Sequence, residues 1–192
     1  AMTENELRTI VDVSHEDGVI ESEERQMIYN VFDFGDSLAK DIMVPRVDMA
    51  FIQADSTYEE VMELYKTHSY TRYPVYADTT DTVIGTINIK DLLIYPKDEE
   101  FRVRRILREP HFTFEHKEVG TLLMEMRSAM VSIVIVLDEY GATSGMITLE
   151  DILEEIVGEI RDEYDKDEKD AILELKPSRE YLVDGSTNLD NV

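Results

Sequence analysis

The chain has 192 residues and a net charge of −24, with 19 Lys and Arg against 43 Asp and Glu. This charge disfavours nucleic acid and anionic lipid as partners, because like charges repel. The chain has no cysteine, which excludes disulfides and thiolate chemistry, and no apolar run has the length that crossing a bilayer requires.

Residues 1–37 are predicted to form two helices. Apolar residues at helical spacing indicate a first helix, which Gly18 ends. Ser22 is a candidate N-cap for the second helix, and Gly35-Asp36 is expected to close it. Nothing in this region is typical of catalysis, so we interpret it as a connector that packs against another part of the protein.

Residues 38–98 are predicted to form a unit with the order strand, helix, strand, strand, helix. The capping box Thr57-Tyr58-Glu59-Glu60 begins the first helix, which we expect to end at Tyr65. Pro45 requires an extended chain before it. The other predicted elements are strands over 49–53, 73–76 and 83–89 and a helix from Asp91 to just before Pro96.

Residues 99–164 repeat this order. The stretch Gly85-Thr86-Ile87-Asn88-Ile89-Lys90-Asp91 recurs, sixty residues later, as Gly145-Met146-Ile147-Thr148-Leu149-Glu150-Asp151. Such an internal repeat predicts two similar units that face each other across a shared cleft. The predicted elements are strands over 112–114, 133–138 and 144–148 and helices over 119–126 and 151–164.

Residues 165–192 are predicted to be an acidic linker followed by two short strands, near 173–175 and 181–183, that begin a further domain. Acidic residues are concentrated around the start of this linker: residues 150–170 contain eleven Asp and Glu and three Lys and Arg. One interpretation is a solvated helix face. The other is a site that senses divalent cations, since hard cations bind clustered carboxylates.

Thr148 and Asp151 lie where a strand turns into a helix, and Asn88 and Asp91 take the same positions in the first unit. The spacing is that of a capping box, in which the side chains only stabilise the helix. A helix N-terminus also favours phosphate, and a carboxylate one turn later can accept from ribose hydroxyls. The motif alone leaves both interpretations open.

Arg72 precedes a strand that contains Pro74. In so acidic a chain, a cation at the mouth of a cleft is what an anionic ligand would need. Several nearby residues have apolar or flat side chains: Met43, Val44, Tyr73 and Pro74. Such side chains could enclose a purine base, or they could simply pack in the core.

The repeat resembles a tandem pair of CBS domains, known as a Bateman module. The segments Asp41-Ile42-Met43-Val44-Pro45-Arg46, Tyr70-Thr71-Arg72-Tyr73-Pro74-Val75 and Asp138-Glu139-Tyr140-Gly141, with residues 148–160, are similar to the cytosolic part of the CorC/hemolysin-C-related proteins and the cyclin-M magnesium transport mediators. The resemblance implies an α+β fold of two pseudo-symmetric βαββα units, packed sheet to sheet, with an N-terminal helical connector. It also implies a homodimer at the cytoplasmic face of the cell membrane, whose membrane domain and most of whose C-terminal transporter-associated domain lie outside this chain.

The resemblance further implies a regulatory module that binds ATP or AMP between its units, in some members with Mg2+. By position, Thr148 and Asp151 would hold phosphate and ribose and Arg72 would meet phosphate, while the base pocket would be formed by Met43, Val44, Tyr73 and Pro74. A weaker second site would comprise Asn88, Asp91, Ile133 and Val134. Ser132 replaces Arg72 there, which removes a contact of about 1.5–3 kcal/mol. We therefore expect one good site.

Three other functions are alternatives to this one. In a ligand-free dimerisation or interaction module, Thr148 and Asp151 would only cap a helix. An enzyme is not expected, because His15, His68, His111 and His116 lack metal-ligand spacing and the chain contains no Walker loop. No catalytic residue and no certain metal ligand are assigned. Haemolysis has no support either, since the chain has no basic amphipathic segment.

Overall fold

The computed structural model describes residues 1–158, 172–176 and 180–183. The chain divides into two compact units, Ala1–Ile156 and Val157–Val192. In the second unit, β8 (Ile172–Lys176) pairs antiparallel with β9 (Glu180–Val183), where two short strands are predicted. The predicted linker and residues 159–164 of the predicted last helix lie outside the described residues.

The N-terminal region forms two helices, α1 (Glu4–Glu16) and α2 (Ser22–Gly35). Thr3 begins α1 with a capping box, a cap that the sequence prediction does not include. The predicted N-cap of the second helix is wrong by one residue, because Ser22 is already helical and Glu21 occupies the cap without a side-chain hydrogen bond. The first turn of α2 is instead favoured by its acids, which interact well with the helix dipole.

Asp12 joins α1 to α2. Tyr29 donates its hydroxyl to Asp12 Oδ1 at 2.7 Å, and Arg25 donates to the same oxygen at 2.7 and 2.9 Å. Hydrogen bonds to a carboxylate favour its charged form. The bonds from Tyr29 and Arg25 therefore lower the pKa of Asp12. Arg8 adds a cation–π contact, with its guanidinium carbon 4.9 Å from the centre of the Tyr29 ring.

The first sheet has the strand order β2-β3-β4. Its elements are β2 (Ile52–Gln53), α4 (Tyr58–His68), β3 (Arg72–Tyr76) and β4 (Val83–Asn88). The predicted Thr57–Glu60 capping box is confirmed, because Glu60 N–H donates to the Thr57 hydroxyl at 3.2 Å and Thr57 N–H donates to Glu60 at 2.9 Å. A 3-10 helix, Ile89–Ile94, replaces the predicted last helix, since the Asn88 side chain accepts from Lys90 N–H and tightens the turn.

The second sheet has the order β1-β7-β6-β5. Its elements are α3 (Ala39–Ile42), β1 (Val44–Pro45), β5 (Phe112–Phe114), α5 (Val119–Ala129), β6 (Ile133–Leu137), β7 (Thr143–Thr148) and α6 (Leu149–Val157). The fold therefore confirms the predicted α+β class. A further difference from the prediction is that the extended segment assigned to the first unit forms β1 of the second sheet.

Each of the two sheets has a glycine at which another segment's backbone approaches closely. A Cβ added to Gly145 would lie 2.5 Å from the carbonyl oxygen of Val44 in β1, and one added to Gly85 would lie 2.5 Å from the carbonyl oxygen of Arg108. Arg108 and Thr86 exchange two backbone hydrogen bonds of 2.8 and 3.1 Å. Each unit's last strand therefore accepts an extended segment from elsewhere in the chain, and it has glycine at the contact.

The two sheets pack against each other through apolar side chains. Val83 of β4 belongs to one buried cluster with Ile133, Ile135 and Met146 of the second sheet. A backbone hydrogen bond of 2.9 Å from Thr143 N–H to the Asp81 carbonyl adds a polar link. Each sheet also has its own core, around Tyr73, Val75 and Ile87 in the first unit and around Val136, Ile147 and Ile152 in the second.

None of the helices in the described part of the chain combines the length and the apolar character needed to span a bilayer.

Gly145→Ala is expected to destabilise the protein by about 1–3 kcal/mol, because its Cβ would collide with the Val44 carbonyl and push β1 off the sheet. Urea unfolding measures the loss. Gly35→Ala is the matched control, since an added Cβ there meets nothing within 4 Å. Equal stability of the two variants would contradict the close approach.

Tyr29→Phe is expected to raise the pKa of Asp12 towards its ordinary value of about 3.9, because the carboxylate loses its hydroxyl donor. A lowered pKa adds stability that is present above the ordinary pKa and is lost as pH falls through the lowered one. An NMR titration of the Asp12 carboxyl carbon measures the shift. Tyr140→Phe, at an exposed position, should leave this pKa unchanged, and an unmoved titration in Tyr29→Phe would contradict the bond.

Candidate functional site

A cavity of about 460 Å3 is formed by residues from both units of the repeat, and we call it the first cleft. Elements of the first unit supply its cation, while β7 and α6 of the second unit supply a hydroxyl and carboxylates. Its lining residues are Val44, Asp48, Ser69, Tyr70, Thr71, Arg72, Met146, Thr148, Glu150 and Asp151. Of the residues that the sequence predicts for a nucleotide, Val44, Arg72, Thr148 and Asp151 come together here.

Thr148 and Asp151 form a reciprocal capping box at the start of α6. Asp151 N–H donates to Thr148 Oγ1 at 3.2 Å, and Thr148 N–H donates to Asp151 Oδ2 at 2.9 Å. The box leaves further capacity, because a carboxylate has about four acceptor positions and a hydroxyl that accepts can still donate. Capping and ligand binding are therefore compatible in these two residues.

Arg72 brings a cation from the first unit to the helix of the second. Its side chain is 28% exposed, and its Nη1 lies 3.6 Å from Glu150 Oε1 in α6. The pair is long and Glu150 is mostly exposed, so it holds the guanidinium only weakly. Ser69 positions this segment, because its left-handed backbone (φ 56°) ends α4 and turns the chain towards the cleft.

Three residues predicted for the base pocket do not line the first cleft. Tyr73 is fully buried in the core of the first unit, because neighbours along a strand point to opposite faces and Arg72 faces the cleft. Its hydroxyl oxygen accepts from Tyr70 N–H at 3.1 Å, and burial raises the pKa of that hydroxyl. Pro74 is buried in β3, and Met43 packs against Gly145 and the core of the second unit.

Tyr70 supplies the aromatic surface that the prediction gives to Tyr73. It lines the first cleft, is 45% exposed, and stacks on His68 with ring centres 5.5 Å apart. The sequence does hold a signal for it, because Ser69, Tyr70 and Thr71 directly precede Arg72. Met146 is indicated as well, because it lies two residues before Thr148 in one strand and so shares its face. The sequence holds no signal for Asp48, which reaches the cleft only through the tertiary fold.

A smaller cavity of about 290 Å3, the second cleft, lies at the pseudo-symmetric position. Asn88 and Ile133 line it as predicted, but Val134 is buried in the core and Asp91 is not among its lining residues. The expectation that this cleft lacks arginine is wrong, because Arg72 and Arg108 both line it. The repeat pairs Arg72 with Ser132 and gives no indication of Arg108, which precedes β5 in the second unit.

Within the described residues, no group of three or more His, Asp or Glu is arranged to hold a metal ion by itself. The hypothesis of a cation site in the acidic stretch stays a prediction, because residues 159–170 lie outside the described part of the chain. In the described part, Asp48, Glu150 and Asp151 place carboxylates on the wall of the first cleft.

The model of the family described as CBS domain matches residues 39–98 and 103–158. Among curated proteins, the chain is 38% identical to UPF0053 protein YrkA of Bacillus subtilis, covering 100% of this chain and 45% of YrkA. It is 37% identical to Hemolysin C of Brachyspira hyodysenteriae, covering 88% of this chain and 62% of that protein. The chain thus spans less than two thirds of the length of both relatives.

Solved structures with the same fold include nucleotide complexes. The CBS domain of a bacterial CNNM/CorC family Mg2+ transporter matches with a TM-score of 0.78 and 38% identity, over 84% of this chain and 100% of that one. Such a domain in complex with ATP matches with a TM-score of 0.68 and 40% identity, over 71% and 99%. A CBS-domain pair with bound AMP from Klebsiella pneumoniae matches with a TM-score of 0.57 and 29% identity, over 64% and 100%.

Thr148→Ala is expected to destabilise the protein by about 1 kcal/mol, because the Asp151 N–H loses its acceptor at the start of α6. Thr148→Ser keeps a hydroxyl at this position and is the matched control. Thermal or urea unfolding measures both variants. Equal losses in the two variants would show that the hydroxyl does not cap this helix.

Proposed function

The chain belongs to the CBS domain family, as a tandem pair related to the CBS domains of CNNM/CorC Mg2+ transporters, and from this we propose that it is a regulatory module that binds ATP or AMP in the first cleft. One observation carries the proposal. Arg72 of the first unit lines the same cavity as Thr148 and Asp151 of the second, so a cation, a hydroxyl and a carboxylate face one space.

Each group of an adenine nucleotide has a matching partner in the first cleft. Arg72 and the Thr148 hydroxyl would bind phosphate, since a guanidinium donates charge-assisted hydrogen bonds. Asp151 would accept from the ribose hydroxyls. Val44 and Tyr70 would enclose the base, because an aliphatic side chain and an aromatic ring both pack on a flat heterocycle. The volume of about 460 Å3 suits a ligand of this size.

Mg2+ would bind together with the nucleotide rather than alone. Mg2+ prefers carboxylate, water and phosphate oxygens and is usually held by one or two carboxylates plus substrate phosphates. The carboxylates of Asp48 and Glu150 on the cleft wall are donors of this kind. Asp48 and Glu150 would hold the ion, which would supply positive charge that offsets the charge of the phosphates.

The module would regulate by changing the balance between two arrangements of its units. A ligand that contacts both units binds one arrangement better and shifts the population towards it. We propose that this shift acts on an ion-transporting membrane domain in a longer protein, with the module as a homodimer at the cytoplasmic face of the membrane. No catalytic step is proposed for the chain.

A ligand-free dimerisation module is the second candidate function, and one contact favours it. Thr148 and Asp151 already satisfy each other in the capping box, so the structure needs no ligand to stabilise this corner. The two functions differ in one measurable property, the affinity for adenine nucleotides.

Arg72→Ala and Asp151→Asn are each expected to weaken nucleotide binding tenfold or more, because each removes a charged partner from the first cleft. Asn keeps an acceptor for Thr148 N–H, so the cap at α6 is retained. Isothermal titration calorimetry with ATP and AMP, with and without Mg2+, measures the affinities. Arg104→Ala is the matched control for charge, since Arg104 is 56% exposed and belongs to neither cleft.

Two results would contradict the proposal in different ways. If the wild-type protein shows neither heat nor thermal stabilisation with millimolar nucleotide, the ligand-free module is the better function. If nucleotide binds and both cleft variants bind as the wild type does, the nucleotide lies elsewhere in the protein.

A further inference from the structure

One of the differences between the two clefts lies where an extended segment pairs with the last strand of each sheet. In the second sheet, Val44 pairs with Met146. In the first sheet, Arg108 pairs with Thr86, and Thr86 is the equivalent of Met146 in the repeat. Arg108 therefore occupies the place in the second cleft that Val44 occupies in the first.

The glycines that precede Met146 and Thr86 support the equivalence of Val44 and Arg108. A Cβ added to Gly145 would meet the carbonyl oxygen of Val44 and the side chain of Met43, both within 3 Å. One added to Gly85 would meet the carbonyl oxygen of Arg108 and the side chain of Leu107 at similar distances. The backbone arrangement is thus the same in both clefts, and the side chain after it changes from valine to arginine.

Arg108 binds the carboxylate of Asp91, whose equivalent in the first cleft, Asp151, has no such arginine partner among the described residues. Its Nη2 donates to Asp91 Oδ1 at 3.0 Å and Oδ2 at 2.8 Å, and its Nε donates to Oδ2 at 3.1 Å. Asp91 is the repeat equivalent of Asp151, and only 21% of its side chain is exposed. The carboxylate that corresponds to the ribose acceptor is therefore held in a charge-assisted fork.

The cavities show the consequence of this ion pair. Asp151 lines the first cleft, whereas Asp91 does not line the second. Asp91 lines a neighbouring cavity of about 340 Å3 instead, and Arg108 lines both that cavity and the second cleft. The guanidinium separates the carboxylate from the space that a nucleoside would enter.

We propose that Arg108 is a specificity-determining residue that closes the second cleft to nucleosides. The inference rests on the proposed function, because it takes the ribose-binding role of a carboxylate from Asp151. A ribose entering the second cleft would have to replace an ionised, bidentate partner of Asp91 with neutral hydroxyls, which bind a carboxylate less strongly. Absence of a cation is not the cause, since Arg72 and Arg108 both line this cleft.

The test is a titration of the wild-type protein and of Arg108→Val with AMP, followed by the backbone amide signals in 15N NMR spectra. Valine is the residue at the equivalent position of the first cleft. In the wild type, signals of residues 148–151 should shift to saturation and those of 88–91 should not. In Arg108→Val, both sets should saturate, with an AMP affinity of the second cleft at least tenfold above that of the wild type.

Two further variants separate the cause from general effects. Arg108→Gln also removes the bidentate ion pair while keeping a long polar side chain, and it should open the second cleft as well. Arg108→Val with Asp91→Asn should lose the new binding again, because the freed carboxylate is gone. Arg104→Val, with the same change in net charge, should behave as the wild type does.

The outcomes distinguish this inference from the proposed function. Saturating shifts at 88–91 in the wild type, or none there in folded Arg108→Val and Arg108→Gln, would overturn the role of Arg108 while leaving the first cleft intact. Shifts at 88–91 only in the Arg108 variants would support the role of Arg108 even if 148–151 never respond. In that case the proposed function would fail and the closure of the second cleft would stand.

Discussion

The contact between β1 and β7 is the constraint on which the rest of the structure depends. Val44 and Pro45 come before the first unit's helix in the chain, yet they pair with Met146 and Gly145 at the edge of the second unit's sheet. The absence of a side chain at Gly145 permits this, since the Val44 carbonyl oxygen lies only 2.5 Å from where a Cβ would be. The pairing places the two halves of the repeat around a shared cleft rather than side by side.

The site follows from this exchange of segments. β1 brings Val44 to the cleft beside Thr148 at the end of β7, and β3 brings Arg72 within reach of α6. Arg72 comes from the first unit, whereas Thr148 and Asp151 come from the second. A ligand bound by all three would therefore contact both units, which is the physical requirement for a module that converts binding into a relative movement of its parts.

The two clefts share a backbone but differ in side-chain chemistry. The same close approach at glycine positions Val44 in one cleft and Arg108 in the other. Val44 forms no ion pair with Asp151 in the first cleft. Arg108 binds the equivalent carboxylate, Asp91, in an ion pair. A symmetric architecture can in this way support two sites of different specificity, because the backbone sets the position of a side chain and the side chain sets what the position can bind.

The sequence by itself determined the repeat, the order of strands and helices, the Thr57–Glu60 capping box and the choice of Arg72, Thr148 and Asp151 as candidate site residues. These features depend on local spacing and on residue identity, which can be read along the chain. Only the tertiary structure decided that β1 crosses to the second sheet, that Tyr70 rather than Tyr73 faces the cleft, and that Arg108 pairs with Asp91. Each of these depends on which face of a strand is buried or on contacts between segments far apart in the chain. The spacing of apolar residues along the sequence specifies neither.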